Sequence, residues 1–274
     1  MKLELHEPFL SLWRGTDPFA AVEALGGTVY RALEGRRTVR VEVVGAAFFA
    51  KIHRGIGWGE IIKNLCRLKK PVLGAGNERA AIRRLEAIGV PTLRVAAFGE
   101  RGGNPARQHS FIITHELAPT IDLETLTRDW SSAPPAFRPK RALIAELARM
   151  LGAMHRAGIN HRDCYLCHFL LHTDADSGDK LPSAVPGLRI SVIDLHRAGI
   201  RARTPRRWRD KDLAALHYSA LGIGLTRRDV LYFLRHYFQK PLREILREEG
   251  ASFRGIAWRT RRLVARKARY GDAL

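Results

Sequence analysis

Sulfur is scarce in this sequence of 274 residues, with three cysteines and three methionines. Cys164 and Cys167 lie together and Cys66 stands alone. That is too few and too clustered for a disulfide framework, so a reducing compartment is expected. Long apolar runs are missing as well. No stretch approaches the roughly 20 apolar residues of a membrane-spanning helix, which leaves only peripheral membrane contact. The first residues, Met1-Lys2-Leu3-Glu4-Leu5-His6-Glu7, carry acids and a histidine where a secretory signal has its apolar run, so a cytoplasmic location is expected. There is no internal repeat and no low-complexity segment, which excludes a repeat solenoid. Acidic residues are the largest deficit: 27 Asp and Glu stand against 47 Lys and Arg, for a formal charge of +20. Such a chain favours acidic partners, whether nucleic acid, anionic lipid headgroups, phosphorylated sugars or an acidic protein. Charge alone does not choose among them.

The length allows one large domain or two lobes. Three strands are expected at Val29–Leu33, Thr38–Val43 and Ala47–His53, the second from the alternation of Val39, Val41 and Val43 with Thr38, Arg40 and Glu42, with a hairpin turn at Glu34-Gly35-Arg36-Arg37. A Gly-rich loop around Trp58 follows, then a short basic helix over Ile61–Lys70 stopped by Pro71. Asn77 suits the N-cap of a helix with Ala81, Ile82, Leu85 and Ile88 on one face, ended by Gly89. Two more strands are expected at Thr92–Phe98 and Ser110–Thr114, and a connector at His115–Thr120. The second half is mostly helical. Leu143, Ile144, Leu147, Met150, Leu151 and Met154 form an apolar stripe. Ile190–Ile193 reads as a buried strand, and Asp212–Leu221, Arg228–Phe238 and Ser252–Tyr270 as helices, with Thr226 and Asp229 as a capping box.

Met154-His155-Arg156-Ala157-Gly158-Ile159-Asn160-His161-Arg162-Asp163 reads as a helix end, a Gly turn and a loop bearing His-Arg-Asp. It resembles the catalytic loop of the protein-kinase superfamily. Phosphoryl transfer needs a cation on the nucleotide phosphates, a carboxylate for Mg²⁺ and a carboxylate that orients the attacking hydroxyl. Asp163 suits the last role and is the expected base. Ala50-Lys51, near the end of the third expected strand, resembles the strand lysine of kinases, and Glu78 would pair with it. Taken singly, Lys51 reads equally well as a solvated strand-end lysine, and Glu78 as a first-turn acid favoured by the helix dipole. Ser191-Val192-Ile193-Asp194-Leu195-His196 resembles the strand that leads to the Mg²⁺-binding aspartate, with Asp194 as the metal ligand. Asp212 or Asp210 would brace the loop from a helix. Glu116-Leu117-Ala118 would offer backbone contacts to adenine through Glu116 and Ala118.

Two positions depart from the kinase pattern. His168 stands where the kinase loop has its second metal ligand, an asparagine. Imidazole is a poor ligand for Mg²⁺, so His168 would contact a phosphate, or the metal through water. The phosphate-covering glycine loop is reduced to Gly35, followed by Arg36 and Arg37.

Other readings compete for the same residues. Cys164-Tyr165-Leu166-Cys167-His168 matches the covalent haem motif, which belongs to exported proteins. Cys164, Cys167, His168 and His172 offer zinc donors, but a second separated pair is missing. Small buried loop cysteines are the preferred reading. Arg197, Arg201, Arg203, Arg206 and Arg207 follow Asp194, where kinases place the segment facing the acceptor. They suit acceptor carboxylates or phosphates, or an exposed basic loop. The basic tail around Phe253, Trp258, Leu263 and Val264 suits an anionic membrane surface, or a packed terminal helix with a charged outer face. Only seventeen residues separate Asp194 from Asp212, without an Ala-Pro-Glu. A long peptide-docking segment has no room there, so a small-molecule or glycan acceptor is more natural.

The run from His161 through Cys164-Tyr165-Leu166-Cys167-His168 to Leu171 closely resembles the catalytic loop of the bacterial lipopolysaccharide core heptose(I) kinases. Phe49-Ala50-Lys51 and Ile193-Asp194-Leu195-His196-Arg197 are similar to the flanking motifs of that family. The resemblance spans residues 25–240. It implies an α+β, two-lobed protein-kinase-like fold. A small antiparallel N-lobe with one helix would occupy 1–115, and a larger, mostly helical C-lobe 116–274. It implies ATP and Mg²⁺ as co-reactants, and transfer of the γ-phosphoryl to O4 of the first heptose of the inner core. It also implies a Gram-negative cytoplasm at the inner face of the inner membrane. Alternatives are the related kinase of the 3-deoxy-manno-octulosonic acid (Kdo) sugar and a protein kinase. A non-catalytic nucleic-acid-binding protein is the rival outside enzymes, and the intact set of Lys51, Glu78, Asp163 and Asp194 weighs against it.

Overall fold

The computed structural model describes residues 1–33, 35–66, 73–173, 181 and 187–270. The chain divides into two compact units. The first comprises Met1–Arg83, Leu93–Leu117 and Leu195–Arg197, and the second Arg84–Thr92, Ala118–Asp194 and Ala198–Leu274.

In the first unit, β1 (Lys2–Leu5), α1 (Phe9–Leu12) and α2 (Pro18–Glu23) precede the strands β2 (Thr28–Leu33), β3 (Arg36–Val43) and β4 (Ala46–His53). Then come α3 (Gly57–Cys66), α4 (Gly76–Glu86, whose last residues fall in the second unit), β5 (Val95–Arg101) and β6 (His109–His115). The six strands form one antiparallel sheet in the order β1-β5-β6-β4-β3-β2. Its alternation is that of a half-buried sheet. Val39 and Val41 on β3 and Phe48, Ala50 and Ile52 on β4 turn inward, while Arg40 and Lys51 point to the other face. Phe9 and Phe19, from the short helices, pack edge-on against Phe48 and Phe111 in the core.

The N-terminal strand and helices carry no signal in the periodicity. Four residues of β1 are too few to show a period, and the strand is held by partners such as Lys2↔Glu100, far away in the chain. Two expectations shift here. β5 begins at Val95 rather than Thr92, because Thr92 bridges to Val192 and its hydroxyl donates to the Val192 carbonyl at 2.7 Å. Asn77 lies inside the first turn of α4 rather than at its cap, and its Nδ2 donates to the His196 carbonyl at 3.0 Å. α3 takes in Gly57-Trp58-Gly59, where the glycines alone point to a loop. The expected end of that helix at residues 67–71 and the turn residue Glu34 lie outside the described residues.

The second unit contains β7 (Thr120–Asp122), α5 (Leu123–Thr127), α6 (Phe137–Arg156), β8 (Ile159–Asn160), β9 (Phe169–His172), β10 (Ile190–Val192) and β11 (Gly199–Ile200). The helices α7 (Arg206–Ser219), α8 (Arg227–Phe238), α9 (Leu242–Glu248) and α10 (Gly250–Tyr270) complete it. The strands form two small sheets, β10-β9-β7 and β11-β8. The whole stripe expected on α6 is buried, and α6 packs on α8 as α7 packs on α10. The capping box at Thr226 and Asp229 is formed in both directions. α7 starts six residues before the expected Asp212, because Arg206–Lys211 is too rich in charge to show an apolar period. Among the described residues, no helix is long and apolar enough to cross a membrane.

Candidate active site

Lys51 lies mid-sheet on β4, between Thr38 of β3 and Ile112 of β6. Its Nζ donates to Glu78 Oε1 at 2.7 Å. Glu78 is 0% exposed, and its Oε2 is buried without a hydrogen-bond partner among the described residues. A buried carboxylate is tolerated only beside a cation. The pair therefore excludes the solvated-lysine reading and explains why the acid belongs on that face of α4. His53, two residues along β4, is held neutral: burial first, then Arg36 and Lys51, push its pKa down to about 3. It adds no positive charge beside the lysine.

Gly35 has a positive φ of 72°, and a Cβ there would meet the Gly55 carbonyl at 2.4 Å. The glycine is required by backbone packing, since the Arg54 N–H also donates to the Gly35 carbonyl at 2.8 Å. The Glu116 carboxylate takes a fork from Arg40, with Nε to Oε1 at 3.0 Å and Nη2 to Oε2 at 2.7 Å. The Glu116 N–H is used by the Ala47 carbonyl, so any backbone contact from this residue comes from its carbonyl. Ala118 is exposed.

The loop that bears His161-Arg162-Asp163 is assembled within the second unit. β8 pairs with β11, and Gly158 turns into it at φ 83°, where a Cβ would strike the Arg201 carbonyl. Arg162 has φ 76°, a left-handed backbone that costs a non-glycine residue about 1–3 kcal/mol. Asp212 offsets that strain. Its Oδ2 accepts from the His161 N–H at 2.6 Å and its Oδ1 from the Arg162 N–H at 2.9 Å. Asp210, the other candidate brace, faces Arg206 and Arg209. Asp212 is thus the residue that shapes the loop presenting Asp163.

Two side chains tie this loop to Asp194. The His161 ring donates from Nε2 to the Ile193 carbonyl at 2.8 Å, and burial pushes its pKa down. His168 donates from Nδ1 to the Asp163 carbonyl at 2.7 Å, which leaves its Nε2 3.6 Å from Asp194 Oδ2. The two imidazoles stack with centroids 5.4 Å apart. Asp194 itself has φ 58°. Asp163, His168 and Asp194 are therefore brought together. One carboxylate completed by phosphate oxygens and water is an ordinary Mg²⁺ environment. The residues present fit that ion through Asp194, and His168 adds no oxygen ligand.

The arginines predicted as acceptor contacts are held by different partners, with Arg201 and Arg207 over the same Trp208 ring as Arg162. Arg197 belongs to the first unit. Arg201 donates to Asn160 Oδ1 at 2.8 Å, and Arg206 to Ser252 Oγ at 2.9 Å. Arg207 stacks over Trp208 at 5.2 Å, and Arg203 lines a pocket with Arg206. The zinc donors are engaged separately: His172 with Ser191 Oγ at 2.8 Å, and His168 with the loop carbonyl. Burial keeps both thiols protonated. Cys164 is pushed well up, and Cys167, which also sits beside Glu124, up to about 12.

Two residues joined to the loop escape the sequence reading. The Tyr237 hydroxyl on α8 lies 2.5 Å from His155 Nδ1, and His155 Nε2 lies 3.2 Å from Asp212 Oδ2. Because Asp212 can only accept, the relay runs from tyrosine to histidine to carboxylate. The available signal is a polar residue on an otherwise apolar helix face, since His155 and Tyr237 are both buried.

Comparison with known proteins agrees with this geometry. The model of the lipopolysaccharide kinase (Kdo/WaaP) family matches residues 20–237. The chain is 62% identical over 274 residues to a protein of Pseudomonas aeruginosa named lipopolysaccharide core heptose(I) kinase WaaP, covering all of both chains. The protein of that name from Escherichia coli K12 is 51% identical over 269 residues, 98% of this chain and 99% of that one. A solved structure described as WaaP in complex with acyl carrier protein superposes with a TM-score of 0.83 at 57% identity, covering 96% of this chain and 99% of that one. The fold is accordingly the kinase-like α+β type implied by the motifs. Identity at this level along the full length admits one assignment: the chain belongs to the lipopolysaccharide kinase (Kdo/WaaP) family.

Proposed function

We propose that this kinase transfers the γ-phosphoryl of ATP to O4 of the first heptose of the lipopolysaccharide inner core, at the inner face of the inner membrane of a Gram-negative bacterium. The observation that supports the reading is the loop in which Asp212 holds Arg162 in a strained backbone next to Asp163, whose backbone carbonyl His168 links to Asp194. It occurs in a chain 62% identical to a heptose(I) kinase. Residues 1–115 act as the nucleotide-covering lobe and 116–274 as the lobe of chemistry. Lys51, steadied by Glu78, neutralises nucleotide phosphates, and the backbone at Gly35, Glu116 and Ala118 contacts the nucleotide. Asp163 accepts the proton of the attacking hydroxyl and orients its oxygen. Mg²⁺ held by Asp194 would supply charge neutralisation on the phosphates. His168 keeps Asp194 and the Asp163 backbone in register, and Arg197, Arg201, Arg203, Arg206 and Arg207 are candidate acceptor contacts.

Incubation of the protein with ATP, Mg²⁺ and truncated core lipopolysaccharide tests this, with the product position read by NMR. Phosphate on O4 of the first heptose is expected. Phosphate on the Kdo sugar would place the chain with the related Kdo kinase, and phosphate only on protein hydroxyls would make it a protein kinase.

A chain of charge +20 also suits an acidic protein partner, and an acyl carrier protein is proposed. The second unit holds an apolar cavity of about 300 Å³, lined by Leu123, Trp130, Leu147, Leu216, Phe233 and Ile256 among others. Its walls suit a fatty acyl chain. In calorimetric titrations, acylated carrier protein is expected to bind at least tenfold more tightly than the unacylated form, as burial of a few methylenes requires. Equal affinity would remove the cavity from the interaction.

A further inference from the structure

A second basic feature lies beside the catalytic loop. α10 packs along α7, and the groove between them has a volume of about 560 Å³. Its walls carry Arg162, Lys211, Arg259, Arg262, Arg266 and Arg269, with no Asp or Glu among the described lining residues. The carboxylates of α7 are directed elsewhere: Asp210 to Arg206 and Arg209, Asp212 to the loop backbone. Small residues, Ala214, Ala215 and Ala265, contribute to the lining. Two aromatics flank it, Tyr165 and Trp258. Trp258 is 52% exposed, with the Arg262 guanidinium 4.8 Å above its ring. About half of this indole is open to solvent, and its uncovered part can stack on the apolar face of a sugar ring.

The groove joins the chemistry through its own lining. Arg162 immediately precedes Asp163, and Tyr165 follows it by two positions. We propose that this groove is the subsite for the anionic part of the acceptor glycan, holding a sugar carboxylate or phosphate while the neutral hydroxyl meets Asp163. The proposal rests on the glycan-kinase reading above. It assigns to α10 a role that the sequence left between a membrane surface and a packed terminal helix. Membrane-surface helices present an apolar stripe to the acyl boundary. On α10 the side chains that could form one, Phe253, Ile256 and Ala257, turn inward to line the apolar cavity. Apart from Trp258, Val264 is the only large apolar side chain exposed among the described residues of α10. A concave, cationic, aromatic-edged groove fits a few linked sugars and excludes a flat bilayer. Arginine forks are suited to planar carboxylates and to phosphates, and anchoring a charged neighbour is an efficient way to position an uncharged hydroxyl.

The experiment uses the full chain, the double variant Arg262→Ala/Arg266→Ala, and the single variant Trp258→Ala. The affected side chains are exposed, and unchanged thermal melting verifies the fold. The probe is core oligosaccharide freed of its lipid by deacylation, titrated by calorimetry and used as acceptor with ATP. The double variant is expected to weaken oligosaccharide binding about tenfold for each arginine removed, and Trp258→Ala to weaken it about as much as one of them. The acceptor KM should rise in step while the KM for ATP stays. Carboxyl-reduced and dephosphorylated oligosaccharides separate the two anionic groups. Whichever modification weakens binding to the natural chain, but not to the double variant, names the group. Wild-type affinity of the double variant for the deacylated oligosaccharide overturns the proposal. So does a loss confined to binding of phosphatidylglycerol vesicles, which would make α10 a membrane contact. Absence of phosphoryl transfer by the natural chain sinks the kinase reading instead, and calorimetric binding still decides the groove.

Discussion

Asp163→Ala is expected to lower kcat about 10²–10⁴-fold, the range for a positioned general acid–base group, with little change in the KM for ATP. The loop explains why the loss should fall on kcat. The Asp163 carbonyl and the neighbouring N–H groups hold the structure, through His168 at 2.7 Å and Asp212 at 2.6 and 2.9 Å. Those bonds run through backbone atoms, so truncating the carboxylate removes the proposed acceptor of the hydroxyl proton and leaves them in place. Asp163→Asn separates the two contributions. It keeps the side-chain shape and orientation but loses the basic oxygen, so it should be impaired nearly as much. Steady-state kinetics with the core acceptor check both variants. Near-normal turnover in either removes Asp163 from the mechanism.

Asp212→Ala is expected to cost about 3–5 kcal/mol of folding stability, the range for breaking a buried charged network. Asp212 is 0% exposed. Its loss orphans the His161 and Arg162 N–H groups, at about 1–3 kcal/mol for each buried donor left unmade, and frees the His155 ring that now bonds to it. The strained backbone at Arg162 then loses its restraint. Activity should fall together with stability, because the loop that presents Asp163 relaxes. Asp212→Asn is a sharper test. It retains volume but turns an NH₂ toward groups that donate, so most of the loss should remain. Urea denaturation followed by circular dichroism measures the effect. Asp210→Ala serves as the reference and should cost much less, because Asp210 receives only Arg206 and Arg209 among the described residues, and Arg209 keeps Glu249 at Nη1 and Nη2. Equal losses at 210 and 212 would mean that the loop is not held by Asp212.

Much of the fold is legible wherever a period is long enough to show. The strands β3 and β4 alternate over runs of eight residues, and the α6 stripe runs through 20 residues of helix. Both are visible in order and type. β1, with four residues, and α5, with five, are not. Elements so short have no intrinsic stability and exist because distant partners complete them. The start of α7 escapes for another reason. Arg206 to Asp210 is polar on nearly every side, and its helical state is maintained by partners next to α9 and on α10, Glu249 and Ser252.

The amino-acid sequence alone was sufficient to nominate Lys51, Glu78, Asp163 and Asp194, to show the deficit of acids, and to suggest the family. Catalytic chemistry demands particular side chains at nearly constant spacing around a loop, and such a pattern survives in one dimension. Tertiary structure decided which of two aspartates holds the loop, joined Tyr237 and His155 to it, and left Trp258 on the rim of a cationic groove. Each of these depends on which face of one helix meets another. That is set by side-chain packing and by the pairing of buried polar groups far apart in the chain, as in the 57-residue span of His155–Asp212 and the 82-residue span of His155–Tyr237. Local periodicity carries no record of neighbours at such separations.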